Sequence, residues 1–173
     1  GLASGFMEPL ESTSIHLVQA GLGRLIDLFP SREFNPVDTA VYNQRTQFEF
    51  ESIRDFLILH YCATERDDSD FWNYCRTMEI PDTLQDKLDL WRTQGRFFRS
   101  EDELFTIPSW VQVLIGQGEI PSEPHGIAKL LNEEDVRDYL AKIHTLLTQT
   151  VSKMPGHREF INRHCPLKEM KQA

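Results

Sequence analysis

Ser12-Thr-Ser-Ile-His-Leu-Val-Gln-Ala-Gly-Leu-Gly-Arg-Leu-Ile-Asp-Leu-Phe29 is the stretch on which the fold class turns. Its apolar residues Ile15, Val18, Leu22, Leu25 and Phe29 advance by 3, 4, 3 and 4 positions, which draws one stripe along a helix rather than the alternation of a strand. Ser12 or Thr13 is placed to cap this helix, and Pro30-Ser31 ends it near Leu28. Gly21-Leu22-Gly23 is part of a dinucleotide loop only superficially. No strand precedes it and the third glycine is missing, so small residues for close helix packing are the better account.

The same grammar repeats outward. Asn35-Pro36 is an N-cap followed by proline in the first turn, and predicts a helix to about Cys62 with Phe50, Ile53, Leu57 and Tyr61 on one side and Phe56 and His60 beside them. Glu65-Arg-Asp-Asp68 breaks it. Ser69 or Asp70 starts a short helix through Met78. Pro81 opens another, with Leu84, Leu88 and Trp91 inside and Gly95 closing it. Residues 97–108 read as loop, 109–115 as a short helix, and 119–131 as loop. Asn132-Glu-Glu134 starts a helix carrying Val136, Leu140, Ile143, Leu147, Val151 and Met154 as far as Pro155, and a last short helix runs from His157 to His164. The expected class is all-α, several amphipathic helices of unequal length.

Composition narrows the function. Among 173 residues, 18 Lys+Arg against 27 Asp+Glu leave a net charge of −9, which disfavours a nonspecific nucleic-acid binder. No run of about 20 apolar residues predicts a membrane span. The opening residues lack the basic region of a signal peptide, and the three cysteines form no C-x-x-C pair, so reduced thiols in a cytoplasmic protein are expected. The six histidines have no histidine partner at helical spacing, so no metal site is expected.

The chemistry-bearing stretch lies at the start. Glu8 and Glu11, with Ser12, Thr13 and Ser14, stand directly before a helix N-terminus, whose unpaired N–H groups and dipole suit a small anion. An ordinary cap, with the acids complementing the dipole, explains the same residues.

Glu8-Pro-Leu-Glu-Ser-Thr-Ser-Ile15 closely resembles the corresponding segment of flavin-dependent halogenases of the tryptophan halogenase family. The likeness continues in order through Ile53-Arg-Asp-Phe-Leu-Ile-Leu-His-Tyr61, Glu65-Arg-Asp-Asp-Ser-Asp-Phe-Trp72, Ile80-Pro81 and Ser109-Trp-Val-Gln-Val-Leu-Ile-Gly-Gln-Gly-Glu-Ile-Pro121. The resemblance implies an enzyme that uses reduced FAD (FADH2, delivered by a flavin reductase), oxygen and halide. Hypohalous acid passes to a lysine beside an aromatic substrate, typically an indole such as tryptophan, often in antibiotic biosynthesis.

It implies Glu11 as the active-site glutamate and Ser12 as the link between the flavin and halide sides. Thr13 and Ser14 are implied as the halide pair, Leu2 and Ile15 as flavin contacts, and Trp110 and Gln112 on the substrate side. Ser14 departs from the glycine of the best-known members. The chain carries neither the family's nucleotide-binding glycine motif nor its Trp-x-Trp-x-x-Ile-Pro motif nor its lysine region. It is therefore expected to be the helical C-terminal portion of such an enzyme, without the α/β flavin-binding part and inactive alone. Residues 1–15 are expected to close the flavin-binding and active-site segment, and 16–173 to form the substrate-side domain. Leu2, Phe6, Met7 and Leu10 are expected to lie exposed where the missing part would pack. The resemblance leaves room for a homodimer. A related flavin hydroxylase and a non-catalytic helical interaction domain are the competing readings.

Overall fold

The computed structural model describes Ala3 and residues 5–165 of the chain. Among these residues it is all helical: α1 (Ser14–Asp27), α2 (Pro36–Cys62), α3 (Asp70–Thr77), α4 (Asp82–Gln94), α5 (Ile107–Gly116), α6 (Glu133–Ser152) and α7 (His157–His164), with 3₁₀ turns at Leu10–Ser12 and Ala128–Leu130. Three N-caps follow the sequence signals, whereas neither Ser12 nor Thr13 caps α1 as expected, since Thr13 holds the N-cap position without a side-chain bond and the Ser12 hydroxyl turns back to Pro9. Asn35 accepts from the Val37 N–H at 3.0 Å, Ser69 from the Trp72 N–H at 3.5 Å and Asn132 from the Glu134 N–H at 2.9 Å. Gly95 ends α4 at φ 61°, where a side chain would be strained. α6 stops at Ser152, short of the expected Met154. Lys153 and Met154 turn back onto Thr150 and Val151 instead, because the residue before Pro155 is disfavoured in helical geometry.

The chain divides into two compact units, Gly1–Gly126 and Ile127–Ala173. In the first, α2 is the spine. Phe56, Leu59 and Ala63 pack with Leu84, Leu88 and Trp91 of α4 and Trp110 and Leu114 of α5, and all eight are buried. A second cluster joins Leu17 of α1 to Ile53 and Leu57, with Met7, Phe50, Leu104 and Phe105 packed against it. Burying each large side chain of this kind contributes roughly 1.5–3 kcal/mol.

α1 lies antiparallel on α2. Glu49, 7% exposed, accepts from His16 at 2.8 Å and pairs with Arg24, whose other nitrogen bonds Thr46 at 2.8 Å. Further along, Gly21 approaches Tyr42 in ordinary contact, while Gly23 meets nothing, so close helix packing does not account for the second glycine. The expected stripe of α1 is not its buried face. Ile15 and Phe29 are both 73% exposed, Leu22 and Leu25 are also exposed, and Leu17 is buried instead. One neighbouring helix covers only a narrow strip of a helix surface, and that strip is fixed here by the Glu49 pairs.

In the second unit no residue of α6 or α7 is buried. The α6 stripe is exposed at Leu140, Leu147 and Val151, with Val136 half-buried. No helix among the described residues is long and apolar enough to cross a membrane.

Candidate active site

The residues before α1 are fastened to α2 in steps. Gly5 lies so close to the Phe50 ring that a Cβ would come within 2.7 Å of it. Met7 packs on the Leu17–Ile53–Leu57 cluster, contrary to the expectation of an exposed patch, while Phe6 and Leu10 remain exposed. The Tyr61 hydroxyl donates to Glu8 Oε2. That bond to a carboxylate, reinforced by burial, pushes the Tyr61 phenol above its ordinary value. Glu8 Oε1 is buried and unpartnered among the described residues.

After Pro9 the backbone turns sharply. Glu11 and Ser12 sit at φ 62° and 48°, a left-handed conformation that costs a non-glycine residue roughly 1–2 kcal/mol. The turn lifts Glu11 off the helix and delivers Thr13 and Ser14 to the start of α1. Ser12 is exposed and its hydroxyl donates to the Pro9 carbonyl at 3.4 Å. Thr13 is 2% exposed, yet its hydroxyl has no partner among the described residues. Ser14, half-buried, is the first residue of α1, and Ile15 points outward. Leu2 lies outside the described residues.

Glu11 borders a cleft of about 280 Å³ with Phe56, Phe105, Ser109, Gln112 and Val113. That is just below the roughly 300–1,000 Å³ of small-molecule sites. Phe105 stacks on Phe56 with ring centroids 3.9 Å apart, giving the cleft an aromatic wall. The wall faces a carboxylate from the turn and an amide from α5, a combination suited to a flat apolar ring that develops positive charge.

Of the two expected substrate-side residues, only Gln112 borders the cleft. Trp110 is 1% exposed and lies behind the wall, edge-on to Phe56 at 4.8 Å and beside Phe97 at 5.1 Å, under the Lys87 ammonium at 4.5 Å. On a three-turn helix, Trp110 and Gln112 point to different sides, and the long-range packing of Phe56 decides which side is core.

Sequence reading missed Phe105, which belongs to the stretch read as loop, and set Phe56 and His60 only beside the apolar side of their helix. It also gave no sign of the buried acids Glu49, Asp55 and Glu103, since partners such as Thr83 for Asp55 and Lys87 for Glu103 come from other elements. Cys62 is a half-buried thiol whose burial raises its pKa, which makes it a poor nucleophile.

A family model described as tryptophan halogenase matches residues 1–133. The chain is 32% identical over 139 residues to the tryptophan 7-halogenase RebH of Lentzea aerocolonigenes, covering 72% of this chain and 26% of that protein. Among solved structures, Xcc4156, a flavin-dependent halogenase from Xanthomonas campestris, superposes with a TM-score of 0.91 at 46% identity over 96% of this chain and 34% of its own. BrvH, a flavin-dependent halogenase from Brevundimonas sp. BAL3, superposes with 0.87 at 39% identity over 94% and 33%. The chain spans about a quarter to a third of the length of these relatives.

Proposed function

The chain belongs to the tryptophan halogenase family, and from that premise we propose that it supplies the glutamate and halide half of a halogenase active site acting on an aromatic ring, an indole such as tryptophan. The observation that carries this is the juxtaposition at one turn: a carboxylate bordering an aromatic-walled cleft, and one residue beyond Ser12 a buried threonine hydroxyl with no partner among the described residues.

The unpaired Thr13 hydroxyl fits a halide, since a buried O–H without an acceptor costs roughly 1–3 kcal/mol that an anion would recover. The first turn of α1, beginning at Ser14, adds the positive end of a helix dipole. The exposed Ile15 offers an apolar contact for the flavin edge; nothing among these residues forms a pyrophosphate cradle, which the flavin-binding part would provide. When bound, reduced FAD supplies, with oxygen, the two-electron oxidation of halide.

The work of this chain's residues is electrostatic and positional. Phe105, backed by the buried Phe56, holds the ring flat against its face. Glu11 places a negative charge where the ring becomes cationic as the new carbon–halogen bond forms, stabilising that state. The same carboxylate is positioned to take the proton released from the ring carbon. Gln112 orients the substrate's polar edge.

The test is Glu11→Gln in the intact enzyme with reduced FAD, oxygen and chloride or bromide. The variant should form hypohalous acid at the wild-type rate and halogenate the ring roughly 10²-fold more slowly. Wild-type product rates would remove Glu11 from the mechanism. Hydroxylated rather than halogenated product from the wild type would overturn the reading in favour of a hydroxylase.

A further inference from the structure

The carboxylate at the cleft sits on strained backbone and on a side chain 39% exposed, so something must hold it in one place. The group it faces is His60 Nε2, at 3.5 Å. His60 is itself rigid. It stands near the end of α2, its side chain is 15% exposed, and its ring lies edge-on to Phe56 with centroids 4.8 Å apart. Its Nδ1 is 2.8 Å from the Phe56 carbonyl oxygen, an acceptor only, so Nδ1 carries a hydrogen. The nitrogen left to meet Glu11 is therefore Nε2, and its 3.5 Å separation from Glu11 Oε1 sets the imidazole edge directly against the carboxylate. Both His60 contacts run through Phe56, which is also the wall of the cleft.

We propose that His60 is a positioning residue for the catalytic carboxylate. α2 fixes the imidazole through Phe56, and the imidazole fixes Glu11 against the substrate ring. This inference rests on the reading of Glu11 as the active carboxylate. His60 is not among the residues that line the cleft.

A set of variants of the intact enzyme tests it. His60→Asn keeps a donor near the Nδ1 position but cannot reach Glu11. It should lower kcat for ring halogenation roughly tenfold, less than the ~10²-fold of a misplaced reacting group, with KM and the rate of hypohalous acid formation unchanged. His60→Gln sets its amide near the Nε2 position and should restore most of the rate. Placed on Glu11→Gln, His60→Asn should cost nothing further, because the two residues act as one unit. A multiplied loss in the double variant, a raised KM or an equal defect in His60→Gln would each overturn the proposal.

A measurement that needs no His60 variant guards against misfolding. The ¹⁵N resonance of His60 Nε2 should shift between the wild type and Glu11→Gln, and an unchanged resonance counts against the pairing. If the wild type itself yields no halogenated product, the underlying reading fails rather than this one.

Discussion

Replacing Trp110 separates a core residue from a substrate contact. The indole is 1% exposed, wedged between Phe56 and Phe97 with Lys87 above it. Truncation to alanine removes the largest fully buried side chain of the first unit and should cost about 3–5 kcal/mol. Trp110→Phe is gentler for a reason visible in the structure. The indole N–H is buried without a partner among the described residues, so no hydrogen bond to them is lost with it. What remains is a cavity of roughly 40 Å³, worth about 1 kcal/mol at ~24 cal/mol per Å³. A weaker cation–π contact adds about 0.5 kcal/mol. Removing the unbonded donor gives back about 1 kcal/mol. The net cost is then close to 0.5 kcal/mol.

Urea titration of the purified chain, followed by fluorescence or circular dichroism, measures both variants. With a slope of about 2 kcal/mol per M, Trp110→Ala should move the midpoint down by roughly 1.5–2.5 M and Trp110→Phe by a few tenths. In the intact enzyme, Trp110→Phe should leave the substrate KM unchanged. A KM raised severalfold at an unmoved urea midpoint would show that the ring reaches the substrate and that the placement behind Phe56 is not the working one.

Ser14→Gly removes side-chain bulk at the first residue of α1 while keeping its N–H, and should shift the chloride-to-bromide product ratio of the intact enzyme; an unchanged ratio would take Ser14 out of the halide site. Tyr61→Phe leaves Glu8 without its phenol donor and should destabilise the chain by about 1–3 kcal/mol. Because the Tyr61 pKa is raised in the folded state, its contribution is complete below about pH 10, the ordinary tyrosine value, and is lost as pH climbs through the raised one. The phenylalanine variant should therefore lose part of the alkaline fall in stability seen in the wild type, and an identical alkaline limb in both would refute the pairing. The chain by itself should bind FAD weakly or not at all when followed by flavin fluorescence, and stoichiometric binding would show that the flavin site needs nothing beyond it.

The amino-acid sequence by itself determined the helices, and the run from Glu8 to Ile15 determined the family. Asn35-Pro36, Ser69, Gly95 and Asn132 mark boundaries because capping is settled within a turn of the backbone, and Leu84, Leu88 and Trp91 declare their shared face because α4 is enclosed on one side only. Tertiary structure alone decided which of several apolar faces became core. It left all of the α1 stripe but the half-buried Val18 exposed and buried Leu17, because α1 rests on α2 through the Glu49 pairs. It sent Trp110 inward and Gln112 to the cleft, and it brought His60 and Phe105 up to Glu11 from distant parts of the chain. Capping and helical periodicity act over three or four residues and can be read along the chain. Burial and charge pairing depend on what the rest of the chain places opposite, and no local pattern encodes that.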